Sequence, residues 1–135
     1  MLARYRHFFP DWEILTTNVA GATLNTGKAR NIGASHAYGD MLVFGDADTA
    51  FEPESLRWAV EQGEYAQAVR RIHLTEEFTG VLLEQPADSV IPEDAPCEWE
   101  GVGESVAPIV VVPREIWERF PYDERWHGWG ADDKA

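Results

Sequence analysis

The spacing of hydrophobic positions changes several times along this sequence, and each change predicts a different element. Small and apolar residues recur at helical spacing between residues 26 and 37, which predicts a helix with Thr26 as its N-cap. The continuous apolar run "MLVFG", residues 41–45, follows a turn signal and is typical of a strand buried on both faces. Pro53 suits the first turn of a second amphipathic helix, which we expect to end at Gly63.

The remaining segments give shorter signals. "WEILTTN", residues 12–18, predicts a short strand. Residues 65–75 fit either a strand or a helix, and their β-branched content favours a strand. Acidic residues, prolines and glycines between residues 84 and 104 predict a long loop. Beyond it, residues 106–113 predict a second buried strand and residues 114–120 a short helix.

Helices that alternate with short apolar strands predict an α/β fold, in which helices flank a mixed, mostly parallel sheet. The length of 135 residues suits a single domain. Ligands of such sheets bind at the carboxyl ends of the strands. Asp46 and Asp48 directly follow the apolar run 41–45, so we expect them at that edge.

Charge and cysteine content narrow the range of partners. The formal net charge is −13, and a field of that sign disfavours nucleic acids and anionic membranes. No apolar run is long enough to cross a bilayer. Cys97 is the only cysteine, which excludes an internal disulfide and suits a reducing compartment. We therefore expect a cytoplasmic protein.

The predicted helix at 26–37 begins with basic residues, although the partial positive charge of a helix start disfavours cations. In one interpretation Lys28 and Arg30 simply point to solvent. In the other, an anion lies at this helix start, where the backbone N–H groups, both cations and the Asn31 amide converge on it.

Asp46 and Asp48 also allow two interpretations. They can form a turn that caps the next helix, or they can bind a hard divalent cation. Mg²⁺ and Mn²⁺ are usually held by one or two carboxylates together with substrate phosphates. Combined with the basic helix start, the acids describe a site for a metal–diphosphate, in which a departing nucleotide diphosphate would be stabilised.

The segment "GKARNIGASHAYGDMLVFGDADT" resembles the nucleotide-sugar-binding core of GT-A glycosyltransferases of the family-2 kind. In that family a K-x-R-N-x-G helix precedes an apolar strand that ends in a D-x-D motif. The resemblance implies a UDP-sugar donor, a hydroxyl acceptor such as a carbohydrate, and Mn²⁺ or Mg²⁺. It implies that Asp48 ligates the metal and that Asp46 contacts the donor, directly or through the metal. Lys28, Arg30 and Asn31 would line the donor pocket.

The tail "FPYDERWHGWGADDKA" resembles the W-G-G/A-E-D-type segment of β-1,4-galactosyltransferases and polypeptide N-acetylgalactosaminyltransferases. This second resemblance implies that Trp129 and Gly130 form a wall against a sugar. Asp132 corresponds to the usual glutamate of the motif. Asp133 corresponds to the general base of inverting enzymes, which takes the proton of the attacking acceptor hydroxyl.

The family pattern also sets expectations for the organisation of the chain. Residues 1–63 would form the nucleotide-sugar and metal half, and residues 64–135 the acceptor half with a flexible loop at 84–104. The chain begins inside the family's first helix and stops where a helix continues, so we expect the first strand to be lacking. It is then either a fragment or a reduced domain that a partner chain completes. The exposed sheet edge would favour a homo-oligomer.

Two other functions compete with glycosyl transfer. One is a non-catalytic GT-A module that binds a nucleotide, a sugar or a protein partner. The other is a nucleotidyltransferase of similar α/β build. The W-G-x-D-D tail argues against the nucleotidyltransferase, because nucleotidyl transfer has no use for that motif.

Overall fold

The computed structural model describes residues 1–21, 25–102 and 108–125. Within these ranges the chain forms five helices and five strands. The helices are α1 Leu2–Phe8, α2 Thr26–His36, α3 Pro53–Gln62, α4 Glu76–Glu84 and α5 Arg114–Arg119. The strands are β1 Met41–Gly45, β2 Ala66–Gln67, β3 Arg70–Leu74, β4 Cys97–Val102 and β5 Ile109–Pro113.

Two small sheets organise the described residues. β5 lies between β1 and β2 and is antiparallel to both, with Val43 opposite Val111. β3 and β4 form a separate antiparallel pair. The mixed α/β class is confirmed, but the prediction of a mostly parallel sheet is wrong for the described strands. Strand direction depends on how the chain re-enters the sheet, which an apolar run does not encode.

The core lies on both faces of β1 and β5, because neighbouring strand residues point to opposite faces. Leu42 and Phe44 of β1 pack on one face with Ala34 of α2. Met41 and Val43 pack on the other face, against a cluster around Phe9, Phe51, Leu56, Ile109 and Val111. The prediction that "MLVFG" is a strand buried on both faces is therefore confirmed.

Helix boundaries agree closely with the sequence signals. α3 starts at Pro53 and ends before Gly63, whose φ of 70° lies in the left-handed region that favours glycine. The Glu52 side chain caps α3 by accepting from the N–H groups of residues 54 and 55. The N-cap of α2 is Asn25, whose side chain accepts from the Lys28 N–H, so the prediction of Thr26 is wrong by one residue.

Other predictions fail where a strand or helix depends on distant contacts. Residues 12–18 form no strand. β4 lies within the predicted loop 84–104, because it pairs with β3. Residues 65–75 do form strands, but two of them, β2 and β3. The sequence pattern gave no indication of α4.

Three expectations concern the ends and edges of the fold. α1 confirms that the described chain begins with a helix, as the family pattern led us to expect. In the ranges that the structure describes, no strand precedes β1, and β1 is an edge strand of its sheet. Homo-oligomerisation through that edge stays a prediction. None of the described helices has the length and apolar character needed to cross a bilayer.

Candidate active site

The two acids predicted as metal ligands lie in a turn that directly follows β1. The Asp46 N–H donates to the Pro108 carbonyl over 3.3 Å, which extends the pairing of β1 with β5 by one step. The Thr49 N–H donates to the Asp46 carbonyl over 3.0 Å and closes the turn. A strand held on both faces by core packing thus fixes where this turn begins.

Asp46 is joined to α2 by an ion pair. Its Oδ1 lies 3.3 Å from Nη2 of Arg30, and the two side chains are 36% and 8% exposed, respectively. The Arg30 guanidinium also lies over the Tyr122 ring, with 5.1 Å between Cζ and the ring centroid. Because Arg30 is buried and Asp46 is partly exposed, removal of the Asp46 carboxylate would leave the poorly solvated charge, that of Arg30. The structure therefore brings together two predicted donor-binding residues, Arg30 and Asp46.

Asn31 holds the segment 122–124 against α2. Its Nδ2 donates to the Tyr122 carbonyl and to the Glu124 carboxylate, each over 2.9 Å. Its Oδ1 accepts from the Trp117 indole over 3.0 Å and from the Tyr122 N–H over 3.1 Å. The amide group of Asn31 thus makes four hydrogen bonds, all to residues far away in sequence. Its predicted contact with a donor stays a prediction.

The first turn of α2 is covered by the same segment. The Asn25 Nδ2 donates to the Glu124 carbonyl over 3.0 Å. A Cβ at Gly27 would lie 3.2 Å from the Asp123 carbonyl oxygen, so the close approach favours a glycine there. Lys28, in contrast, is exposed and forms no ion pair with the rest of the described chain.

Asp48 lines a groove of about 1700 Å³, to which Arg30 and Asn31 do not contribute. The groove is lined by residues 47–52, the first half of α3, β2, β3 and the loop 88–93. Asp48 is exposed at its wall, whereas Asp46 is not among the lining residues. The acid that the resemblance assigns to the metal is therefore the one that faces open space.

Tyr5 is a neighbour of the acids that the sequence did not reveal. Its hydroxyl is buried without a hydrogen-bond partner in the described structure, and a Cβ on Gly45 would lie 2.9 Å from it. Burial, and secondarily the charge of Asp46, raise the pKa of Tyr5 to about 12. The phenol therefore stays protonated beside the end of β1. An aromatic residue in a short helix gives no signal of this proximity, which arises from tertiary packing.

The carboxylates of the turn suit the metal that the resemblance implies. Hard cations such as Mg²⁺ and Mn²⁺ prefer oxygen ligands, and Asp48 offers an exposed carboxylate beside a space large enough for a substrate. No group of three or more His, Cys, Asp or Glu side chains in residues 1–21, 25–102 and 108–125 could hold a metal by itself. Oxygens from a bound phosphate would have to complete the coordination.

The comparisons with known proteins decide the family. The family model for glycosyl transferase family 2 matches residues 19–86, which is half of the chain. The chain belongs to glycosyl transferase family 2. The matched region contains α2, β1, the acid turn and α3. Searches of curated proteins and of solved structures found no match to the chain.

Membership of family 2 implies the GT-A fold and supports a role in glycosyl transfer. The match ends before the tail, so the second resemblance is not part of it. Trp129, Gly130, Asp132 and Asp133 lie outside the described residues. Tyr122 to Glu124, which α2 holds in place, stand just before that tail in the sequence.

Proposed function

We propose that this family 2 chain transfers a sugar from a UDP-sugar to an acceptor hydroxyl, with inversion at the anomeric carbon. The observation that supports it most is the position of the acid turn. The family match covers it, a buried strand presents it, and Asp48 faces a large groove. The nucleotide diphosphate would lie at this wall of the groove, with Mn²⁺ or Mg²⁺ held by Asp48 and neutralising the charge of the leaving diphosphate.

Arg30 and Asp46 act together in this proposal. The ion pair fixes the Asp46 carboxylate toward α2, so the two acids of the turn do not compete for one position. Asp46 would accept a hydrogen bond from the donor, and the remaining positive charge of Lys28 and Arg30 would favour the diphosphate. Tyr5 supports the same turn from the other side, because its ring packs 4.2 Å from Phe51 and its hydroxyl approaches Gly45.

The chemical step is a direct displacement. The acceptor oxygen forms a bond to the anomeric carbon while the bond from that carbon to the UDP oxygen breaks, and UDP leaves with the electron pair. The Asp133 carboxylate takes the proton of the acceptor hydroxyl, while Asp132, Trp129 and Gly130 position the sugar. Support for these roles comes from the tail resemblance and from the bonds that hold residues 122–124 on α2.

Compartment and assembly complete the proposal. The single cysteine, Cys97, is a free and exposed thiol, which supports a reducing compartment such as the cytoplasm. The edge position of β1 supports a homo-oligomer or a partner chain that extends the sheet.

Turnover with UDP-sugars tests the proposal. UDP release from UDP-glucose, UDP-galactose and UDP-N-acetylglucosamine would be measured with and without Mn²⁺. Wild type should release UDP only with the metal, and Asp48→Ala should lower the rate by about 100-fold or more, since metal stabilisation of a leaving group contributes several kcal/mol. Glu54→Ala removes another exposed acid of the same groove and should retain the rate.

The competing function is a non-catalytic GT-A module, and the same assay separates it. A folded chain that binds UDP with Mn²⁺ but shows no turnover with any donor would favour the module. Equal turnover in wild type and Asp48→Ala would refute the assigned metal ligand.

A further inference from the structure

Besides Arg30, the described chain has a second buried arginine, Arg4 of α1. Unlike Arg30, Arg4 lines the groove. Arg4 is 8% exposed, and its guanidinium lies over Phe8 and Phe51, with 5.0 and 5.9 Å between Cζ and the ring centroids. Its Nη1 donates to the carbonyl of Ala87 over 3.4 Å and to the carbonyl of Ser89. Arg4 and Asp48 both line this groove.

Within the described residues, no carboxylate pairs with Arg4. Both hydrogen bonds that Arg4 makes to described residues go to neutral carbonyls through the same nitrogen, and its Nε is buried without a partner among them. This is unexpected in a chain with 24 acidic and only 11 basic residues. Burial lowers the pKa of the Arg4 guanidinium, yet an arginine stays charged at neutral pH. A buried cation without a counter-charge is unfavourable unless something else supplies one.

The geometry of the Arg4 guanidinium indicates which kind of group could bind its remaining N–H donors. Arginine binds carboxylates and phosphates through two parallel N–H donors. Nη1 is already used, whereas Nε and Nη2, which together form the side edge, make no hydrogen bond within the described part of the chain. The two aromatic rings exclude water from the faces of the guanidinium and so strengthen an interaction with an anion.

We propose that the side edge of Arg4 binds a carboxylate or phosphate group of the ligand that occupies this groove. Since Nε is buried, we expect the turn 86–89, whose Ala87 and Ser89 carbonyls accept from Arg4, to shift when the anion enters. The proposal deepens the proposed function by naming an anionic ligand class for the groove. Two sources share this chemistry: the diphosphate of the donor and an acidic group on the acceptor.

Anion binding by the metal-free full chain tests the proposal without requiring turnover. The chain would first be freed of metal on a chelating resin, and calorimetric titrations at constant ionic strength in a buffer without carboxylates or phosphates would use pyrophosphate, glucuronate and, as the uncharged comparison, glucose. We expect saturable binding of at least one anion and none of glucose. Pyrophosphate alone would identify the donor diphosphate, and glucuronate would identify an acidic acceptor. Because the metal is removed beforehand and no sugar is transferred, this result is independent of whether the chain is an active enzyme.

Two variants assign the binding to this arginine. Arg4→Met keeps the length and apolar contacts of the side chain and should weaken anion binding by about tenfold or more, which corresponds to loss of a charge-assisted pair. Arg6→Met removes the same charge from an exposed position of the same helix, and its affinity should stay within about twofold of wild type. Equal weakening in both variants would show only a general field effect and would overturn the proposal.

A measurement on wild type guards against a variant that fails to fold. Titration of either anion should shift the NMR signal of the Arg4 Nε–H group, together with the amides of residues 87–89. Saturable anion binding that leaves these signals in place would overturn the proposal, as would the lack of any saturable binding.

Discussion

The two buried arginines of the described chain, Arg30 and Arg4, differ in the groups that accept their hydrogen bonds. Arg30 on α2 and Arg4 on α1 are each 8% exposed, and each guanidinium lies over an aromatic ring. Arg30 forms an ion pair with the carboxylate of Asp46, whereas the hydrogen bonds of Arg4 to described residues go to carbonyl oxygens alone. The charge of Arg30 is therefore opposed by a carboxylate of the chain itself. A buried cation without one retains the capacity to bind an anion.

The surroundings of the two arginines also differ in how tightly they are held by hydrogen bonds. The α2 side is tied together by side-chain hydrogen bonds of Asn25 and Asn31 to the segment 122–124. The Arg4 side opens into the groove, where the guanidinium donates to carbonyls of the turn 86–89. We therefore expect the α2 side to be preorganised and the groove side to adjust when a ligand binds.

The largest expected effect on stability comes from breaking the Arg30 pair. Arg30→Met should lower the free energy of unfolding by about 3 kcal/mol, because it removes a charge-assisted hydrogen bond to Asp46 and the contact of the cation with the Tyr122 ring. Urea denaturation followed by circular dichroism measures this value. Arg30→Met combined with Asp46→Asn should recover part of the loss. If Arg30→Met is neutral, the ion pair does not stabilise the fold and the comparison fails.

Tyr5 of α1 should make the free energy of unfolding depend on pH in the alkaline range, by almost as much as the loss expected for Arg30→Met. Its pKa is raised from 10.0 to about 12, so between these values the folded chain retains a proton that the unfolded chain loses. Stability from this group is complete below pH 10 and is lost as the pH rises through this window, by about 2.5 kcal/mol in total.

Tyr5→Phe is the matched control for that titration. It removes a hydroxyl without a hydrogen-bond partner, so stability at pH 7 should change by less than about 0.5 kcal/mol. The loss between pH 10 and 12 should be smaller in the variant than in wild type. Identical alkaline profiles of the two proteins would show that Tyr5 does not titrate in this way.

Asn31→Ala should destabilise the chain by about 2 kcal/mol. The substitution leaves the Trp117 indole and the Tyr122 N–H without their acceptor in a half-buried setting. Thermal unfolding measures the effect, with Ser35→Ala on an exposed part of the same helix as the control. A loss no greater than that of the control would mean that α2 does not hold the segment 122–124.

The smallest effect on stability is expected from replacing Arg4. Arg4→Met should change the free energy of unfolding by less than about 0.5 kcal/mol when no anion is present, since apolar replacement of an unpaired buried charge is often neutral or favourable. Urea denaturation in a buffer without carboxylates or phosphates measures it. A loss as large as that of Arg30→Met would assign Arg4 a structural role instead.

The sequence predicted elements that depend on local signals and missed those that depend on distant ones. β1, α3 and its Gly63 end follow from a continuous apolar run, a proline and a left-handed glycine, all within short windows. β4 could not be predicted, because it exists through its pairing with β3. The antiparallel placement of β5 between β1 and β2 is likewise a property of the chain path.

Prediction of the candidate site follows the same division. The acid turn could be found because the acids follow a buried strand directly, and Arg30 because cations are unusual at a helix start. Tyr5, Tyr122 and Arg4 could not be found, because only folding brings them to Asp46, Arg30 and the groove. Roles for Trp129, Gly130, Asp132 and Asp133 rest on the tail motif and stay predictions.

The proposed metal–diphosphate site at the end of β1 is tested most directly by the affinity for UDP, measured by calorimetry with and without Mn²⁺. Mn²⁺ should tighten UDP binding by about tenfold or more in wild type and in Glu54→Ala, and Asp48→Ala should lose this gain. UDP affinity that is the same with and without the metal, or a gain that Asp48→Ala retains, would contradict a metal–diphosphate site at the end of β1.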